Sequence, residues 1–237
     1  MGEPTVLTEN EIYERMVETI LNHRLPPGTK LIEDRLATAF GVSRTRIRPV
    51  LVRLANEQIV TLTMNRGATV AQPTEAEARE VFEVRRLIEP TLVACFIANA
   101  SDEDITLLSQ CIAQEEAARA AGDLRRAIRM SGDFHLHIAL AAQHQTLGRI
   151  LRELISRTSL ILMTYGAAAP QADACGCQEH RALLSAIRLR DAQAAGRLMQ
   201  DHLVRLESQL QFTQREPDVP DLLALFGAPT PALAAEY

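Results

Sequence analysis

The 237-residue sequence has no tryptophan, and aromatic residues make up only 4% of it. Lysine is almost absent as well, since Lys30 is the only one and arginine carries nearly all the positive charge. Aromatic residues are enriched in strands, whereas the alanine, leucine, arginine and glutamate that are abundant in this chain favour helices. The composition therefore disfavours an all-β fold and predicts helices that pack through aliphatic side chains.

Long apolar runs are also missing. The longest ones, such as SLILMTYGAAA from Ser159, are far shorter than the roughly 20 residues that cross a bilayer. The first residues lack the charged-then-apolar order of a secretory signal. We therefore expect a cytoplasmic protein without a membrane partner. A chain of 237 residues also exceeds the usual size of one domain, which favours two modules with separate cores.

Cysteine is scarce, with four residues in the chain. Cys95 and Cys111 lie in apolar helical segments and are expected to be small core residues in a reducing cytosol. Cys175 and Cys177, with His180 beyond them, allow an alternative interpretation as a zinc or redox site. A single pair of this spacing supplies too few ligands for a closed tetrahedral site, so that alternative is disfavoured.

The first 72 residues follow the order of a winged helix-turn-helix. Thr8 and Glu11 form a capping box, and apolar residues recur behind it at helical spacing. Breakers and β-branched residues then divide the segment into helices that end near residue 24 and cover 33–40 and 43–57, followed by a hairpin with its turn at 65–67. The sequence thus predicts an N-terminal winged helix over residues 1–72.

Gln72-Pro73-Thr74 marks a boundary, after which the pattern is helical only. Caps and apolar periodicity predict six helices, at about 74–99, 101–121, 123–142, 146–165, 178–190 and 191–214. The predicted fold class is therefore mainly α, with a small β-hairpin wing in the first domain and an all-helical bundle over residues 73–237. The tail after about residue 215 is expected to be mobile apart from a short helix around 222–226.

The net charge of −5 is distributed unevenly. Residues 1–72 carry nine basic and eight acidic residues, whereas the rest carries 16 basic and 22 acidic ones. Between Arg35 and Arg66, six arginines stand against a single acid, Glu57. Because the distribution of charge matters more for nucleic-acid binding than its sum, this segment is a candidate DNA-binding surface.

The segment GVSRTRIRPVLVRLANEQIV carries the most specific signal. Ser43 is placed to cap its helix, and Arg44, Thr45, Arg46 and Arg48 crowd the first turn and a half, opposite an apolar stripe. The N-terminal end of the second helix of a helix-turn-helix enters the major groove, where arginine can bind guanine edges. The alternative is a solvated charged face, which the capped start and the helix-helix-hairpin order disfavour.

The stretch LPPGTKLIEDRLATAFGVSRTRIRPVLVRLANEQIVTLTMNRGATV resembles the winged-helix domain of the GntR family over essentially its full length. Family members usually have Pro where Arg46 stands and Glu-Ala where Pro49-Val50 stand, which suggests a different operator preference. The resemblance implies DNA contacts from Ser43, Arg44, Thr45, Arg48 and Gly67. Arg66, at the predicted wing tip, would reach phosphate or the minor groove.

The helical half, with VRRLIE, FHLHIALAAQHQTL, EHRALLSAI and RLMQDHL, resembles the FadR-type C-terminal (FCD) domain. In many such domains one Asp and three His hold a divalent metal, which a carboxylate effector completes. The motifs match His135, His180 and His202 to those histidines, and the resemblance implies a zinc or nickel site. Ser131 stands where the family has its Asp. Asp133 lies about 200° around the helix from His135, so Asp133 cannot replace the missing Asp ligand.

Arg85 falls where the family places an inward arginine, and the resemblance implies that Arg85 and Ser131 line the effector pocket. An ordinary ion pair between Arg85 and Glu89, one turn away, is the alternative. The functional hypothesis is a homodimeric bacterial regulator that binds a pseudo-palindromic operator in double-stranded DNA and responds to a small carboxylate. Two alternatives stay open: a degenerate C-terminal domain that only dimerises, and a zinc hydrolase, for which no general base is evident.

Overall fold

The computed structural model describes residues 7–22, 24–64, 67–166, 174–212 and 222–226, and for residues 174–176 it describes the backbone only. The chain divides into two compact units after Ala71. Of the described residues, the first unit holds those up to Ala71 together with 222–226, and the second holds those from Gln72 to residue 212.

The first unit is the predicted winged helix. Its elements in chain order are α1 (Glu9–Leu21), β1 (Lys30–Leu31), α2 (Glu33–Phe40), α3 (Arg44–Asn56), β2 (Val60–Thr63) and β3 (Gly67–Val70). The described strands form an antiparallel sheet in the order β1-β3-β2, with Val60 opposite Val70 and Leu31 opposite Ala68. The extended segment around Leu31 thus adds a third strand to the predicted hairpin.

The turn between α2 and α3 depends on one glycine. Gly41 ends α2 with a φ of +65°, a left-handed conformation that favours glycine over residues with a side chain. Ile47, Leu51 and Leu54 form the buried stripe of α3, each no more than 1% exposed. This packing leaves the opposite side of α3, with its arginines, toward solvent.

The second unit contains six described helices and no described strand. They are α4 (Glu75–Asn99), α5 (Asp102–Ala120), α6 (Leu124–Ala141), α7 (Gln145–Tyr165), α8 (Ala174–Arg188) and α9 (Ala192–Ser208). The capping boxes predicted at Thr74 and Ser101 are both present, so the mainly α fold class is confirmed. Helix α8 begins at Ala174, before its predicted start, and α9 ends at Ser208, short of the predicted 214.

The core of the helical unit is apolar with an ionisable cluster inside it. Phe82, Phe96 and Phe134 are fully buried in this core. Six ionisable residues are also buried, each no more than 4% exposed: Arg85, Glu89, Glu115, His135, His180 and His202. Because buried charges and imidazoles are costly unless they are paired, this cluster is a candidate functional site. No helix in the described part of the chain is long and apolar enough to span a membrane.

The tail differs from the predicted domain division. The short helix expected near residue 222 is present as α10 (Leu222–Phe226), but it packs on α2 and belongs to the first unit. The sequence division assigned everything after residue 73 to the bundle because it followed chain order. Leu222 and Phe226, one turn apart, are each only 2% exposed in the first unit.

Candidate functional site

The first candidate site is the exposed face at the start of α3. Arg44 and Arg48 extend from it with side chains that are 57% and 66% exposed. Both reach the N-terminus of α2: Arg48 Nε and Nη2 donate to the two oxygens of Glu33 at 3.2 and 3.0 Å, and Arg44 Nε lies 3.0 Å from Asp34 Oδ1. The hydrogen bonds from Arg48 hold the pKa of Glu33 below its ordinary value, so the pair is charged at neutral pH. Acids of α2 thus hold both predicted DNA-reading arginines.

The start of α3 differs from prediction in one detail. Ser43 occupies the N-cap position with an extended backbone, but its side chain makes no capping hydrogen bond. Its hydroxyl lies 2.7 Å from Oγ1 of Thr45, and both residues are exposed. The predicted side-chain cap is therefore wrong: the N–H of Arg46 donates to the carbonyl oxygen of Ser43 at 3.0 Å, and the Ser43 hydroxyl accepts from no N–H of the first turn. Such a helix terminus, with Arg46 half-exposed on the same turn, suits a phosphate.

An open groove of about 600 Å³ lies between the start of α3 and the β2–β3 hairpin. Arg44, Arg48 and Gly67 line this groove. Gly67 begins β3 directly after the hairpin turn with a φ of +86°, a conformation that favours glycine. Arg66, the predicted wing contact, lies outside the described residues.

The second candidate site is a cluster of three histidines inside the helical unit. His135 of α6, His180 of α8 and His202 of α9 are each no more than 4% exposed. One ring nitrogen of each lies within 4.8 Å of those of the other two. The ring centroids of His180 and His202 are 4.6 Å apart, and Phe134 stacks on His180 at 4.3 Å. Three helices distant in sequence thus bring three imidazoles to one buried point.

Each histidine forms a hydrogen bond with a glutamate through its Nδ1 atom. The distances from Nδ1 to the carboxylate oxygen are 2.5 Å for His135 and Glu89, 2.8 Å for His180 and Glu115, and 2.8 Å for His202 and Glu179. An ionised carboxylate can only accept a hydrogen bond, so Nδ1 carries the proton in each pair. Nε2 is then the nitrogen that offers a lone pair.

Each of these glutamates is in turn bound by an arginine. The nitrogen-to-oxygen distances are 2.6 Å for Arg85 and Glu89, 2.7 Å for Arg119 and Glu115, and 2.6 Å for Arg205 and Glu179. Burial opposes the charge of Glu89 and Glu115, but the arginine and histidine beside each one outweigh it and lower the pKa of both to about 2. Burial also lowers the pKa of His135 to about 3. At neutral pH Glu89 is therefore ionised and His135 is neutral.

The lone pairs of the cluster face inward without a partner. Nε2 of His135, His180 and His202 is buried and has no hydrogen-bond partner among the described residues. Buried polar atoms without partners are rare, and a set of three that share one point fits an ion that takes neutral imidazole ligands. The residues present therefore fit a divalent metal such as zinc or nickel. The glutamates would be the outer partners that such ligating histidines usually have.

Arg85 does more than pair with Glu89. Its Nη1 donates to Oγ1 of Thr158 at 3.2 Å, and its Nη2 is buried without a partner among the described residues. The ion pair that the sequence left as an alternative is present, at 2.6 Å between two side chains that are each 1% exposed. One guanidinium nitrogen nevertheless stays unused, which leaves a donor for an anion.

Ser131, which the resemblance places with Arg85 in the effector pocket, lies on α6. It is half-buried on α6, one turn before His135, and lines a small pocket of about 50 Å³ together with Leu162 and Leu206. Neither Arg85 nor any of the three histidines lines that pocket.

The cysteines show no sign of a separate site in the described part of the chain. Cys111 and Cys177 are buried free thiols, and burial raises the pKa of each to about 11. Thiols with raised pKa values are poor nucleophiles and poor metal ligands. Cys95 is half-buried and also free, and the side chain of Cys175 lies outside the described residues.

Apart from Glu89, sequence reasoning missed the acidic residues of both sites. Glu33 and Asp34 stand next to Arg35, so the charge count that began at Arg35 excluded them. Glu115 lies 65 positions from its partner His180, beyond any local pattern. Glu179 directly precedes His180 in sequence yet pairs with His202, so adjacency in the chain does not indicate this pairing.

Comparisons with known proteins cover both units. A family model of bacterial regulatory proteins of the gntR family matches residues 8–70, and a model of the FCD domain matches residues 80–205. Over 217 residues the chain is 24% identical to the HTH-type transcriptional repressor RspR of Escherichia coli strain K12, which covers 91% of this chain and 94% of that protein. The gluconate operon transcriptional repressor of Bacillus licheniformis is 39% identical over 94 residues, or 39% of this chain and 38% of that protein. A solved GntR regulator from Rhodococcus sp. RHA1 shares the fold, with a TM-score of 0.77 and 20% identity over 85% of this chain and 96% of that chain.

Proposed function

This chain belongs to the GntR family of bacterial regulatory proteins and carries an FCD domain, and from that premise we propose that a small carboxylate controls its binding to operator DNA. The function is regulation of transcription and not catalysis. In the proposal, His135, His180 and His202 hold a divalent metal ion, and the effector binds beside it. The protein acts as a cytoplasmic homodimer on a pseudo-palindromic operator.

The observation that carries the proposal is the set of three unpartnered Nε2 atoms. Hydrogen bonds from Nδ1 to Glu89, Glu115 and Glu179 fix which nitrogen faces inward. Three protein ligands are typical of sites that keep an open coordination position. When bound, the ion supplies that open position to an oxygen ligand.

The effector class follows from the donors around the cluster. Nη2 of Arg85 is a buried charged donor without a partner among the described residues, and an anion satisfies it better than a neutral molecule. Ser131 adds no negative charge where family members have Asp. The proposal therefore favours a small carboxylate.

The DNA-binding part of the proposal assigns base and phosphate contacts to the start of α3. Arg44 and Arg48 are exposed there and line the groove beside the wing, with Ser43, Thr45, Arg46, Arg66 and Gly67 as further contacts. One winged helix reads one half-site, so a pseudo-palindrome needs two copies of the chain. The helical unit is the proposed site of dimer formation.

The metal assignment is tested by loading protein that has been stripped of metal with zinc or nickel and measuring bound metal by mass spectrometry. The expected result is one ion per chain, lost in His180→Ala and kept in His137→Ala, a matched change on α6 outside the cluster. Absence of metal in the wild type would favour the alternative in which the helical unit only dimerises.

The effector assignment is tested by thermal shift on the metal-loaded protein with a panel of small carboxylates and their neutral amides. At 100 times its Kd a ligand raises the free energy of unfolding by about 2.7 kcal/mol, which is readily detected. We expect a carboxylate to stabilise the protein, its amide to fail, and Arg85→Lys, which keeps a charge beside Glu89, to weaken the effect. Stabilisation by amides and carboxylates alike would contradict the proposal.

A further inference from the structure

The C-terminal helix α10 lies beyond both family matches, which end at residues 70 and 205. It nevertheless forms part of the first compact unit, where it packs against α2 of the helix-turn-helix. The question is what five residues from the far end of the chain contribute to the DNA-binding domain.

The contact is apolar and well buried. Phe226 and Leu222 are each 2% exposed, and their spacing of four residues puts both on one face of α10. The ring of Phe226 lies 4.7 Å from the ring of Phe40, at an angle of 32°. The guanidinium of Arg15 from α1 lies 5.4 Å from the same Phe40 ring. Phe40 is therefore enclosed by side chains from two other helices and is only 6% exposed.

Helix α2 needs this cover because its buried face is wide. Leu36, Ala37, Ala39 and Phe40 are all buried, which spans about 160° of the helix surface at 100° per residue. Helices α3 and α10 are both packed against α2. Without α10, Phe40 would lose an aromatic neighbour and part of its cover from water.

The position of Phe40 links this packing to DNA reading. Phe40 is the last residue of α2, Gly41 forms the turn, and α3 begins at Arg44. Glu33 and Asp34, which hold Arg48 and Arg44, are at the other end of the same eight-residue helix. A displacement of α2 would therefore move both the turn and the acids that position the two arginines.

We propose that α10 is an integral fourth helix of the DNA-binding domain, which docks on α2 from the same chain and holds the helix-turn-helix in its reading geometry. Residues 213–221 join it in sequence to the segment after α9, the helix that carries His202. The inference goes beyond the proposed function, since it needs neither metal nor effector.

Adjacent leucines of α10 provide a matched test in the full-length chain. Leu222 is 2% exposed and Leu223 is 45% exposed, so Leu222→Ala and Leu223→Ala make the same chemical change at a buried and at an exposed position, about 100° apart on the helix. We expect Leu222→Ala to speed hydrogen exchange of the α2 amides at least about tenfold and Leu223→Ala to change it less than about twofold. The exchange is measured without DNA and without metal, so its outcome does not depend on the proposed function.

Operator affinity supplies the functional readout. With a DNA fragment selected by the wild-type protein, we expect Leu222→Ala to weaken binding several-fold relative to Leu223→Ala. Equal exchange rates and equal affinities in the two variants would overturn the proposal. If protection of the α2 amides from hydrogen exchange decreases on dilution to concentrations at which the protein is monomeric, the docked helix belongs to a second copy of the chain. That result would also overturn the proposal.

Discussion

Glu179→Gln is the most informative single change in the histidine cluster. One oxygen of Glu179 accepts the Nδ1 proton of His202 at 2.8 Å, and the other lies 2.6 Å from Nη1 of Arg205. Among the three glutamates of the cluster it is the least buried, with a side chain 16% exposed against 1% for Glu89 and Glu115. The substitution keeps the shape and one acceptor oxygen but removes the charge. The side chain of Arg205 is 49% exposed, so its charge remains accessible to water in the variant.

The expected magnitude follows from the hydrogen bond that is weakened. A bond to a charged acceptor contributes about 1.5–3 kcal/mol, whereas a neutral one contributes about 0.5–1.5 kcal/mol. Loss of the charge therefore weakens the hydrogen bond that orients His202 by on the order of 1–2 kcal/mol. It also makes Nε2 of His202 a less basic ligand. Outer-shell changes at metal-bound histidines typically lower metal affinity about 10- to 100-fold. We expect Glu179→Gln to weaken zinc or nickel binding within that range.

The assay is a competition for metal against a chromophoric chelator at neutral pH. Glu116→Gln is the matched control, because Glu116 pairs with Arg181 at 2.5 Å on the surface and is not among the histidine partners. Histidine nitrogen chemical shifts give a second readout without metal, since wild type should show protonated Nδ1 and bare Nε2 at His202. If Glu179→Gln binds metal as tightly as Glu116→Gln, the outer glutamates do not position the histidines, even where the wild type binds metal.

Three further predictions concern DNA binding and assembly. Arg44→Ala or Arg48→Ala should cost about 1–3 kcal/mol of specific affinity if the residue reads a base, or flatten the salt dependence if it binds phosphate; titrations of a selected operator at several salt concentrations check this. Glu33→Gln removes the carboxylate that pairs with Arg48, which frees Arg48 to bind phosphate. Affinity for nonspecific DNA should therefore rise, and the slope of log K against log salt should steepen by about 0.9. An unchanged slope would count against competition between Glu33 and phosphate. Sedimentation at micromolar concentration should show a homodimer with or without operator DNA, and a monomer in both conditions would contradict the two-fold arrangement.

Local signals made most of the fold predictable. The capping boxes at Thr8, Thr74 and Ser101 are determined by residues three positions apart, and each begins its helix where the pattern indicates. The turn at Gly41 likewise follows from a conformation that glycine adopts most readily. Ser43 was the exception, because its hydroxyl has a competing neighbour in Thr45 that no helix-start pattern takes into account.

The partners in the sites were harder to predict because they come from distant elements. The family motifs matched the three histidines, but the pairing of His180 with Glu115 depends on how α5 and α8 pack. The docking of α10 on α2 joins segments about 180 positions apart, and nothing in its short apolar sequence specifies which surface it covers. Tertiary packing decided both.

The charge balance of the histidine cluster argues for an effector and a metal that bind together. Glu89, Glu115 and Glu179 each face an arginine, so the carboxylate charges are offset before any ligand binds. Neutral imidazoles add no charge, and neither does Ser131. A divalent ion would therefore bring an uncompensated +2 into a buried site, which is costly. An anion that ligates the ion and accepts a hydrogen bond from Nη2 of Arg85 lowers that cost. By linkage, the metal then raises the affinity for the anion by the same factor by which the anion raises the affinity for the metal.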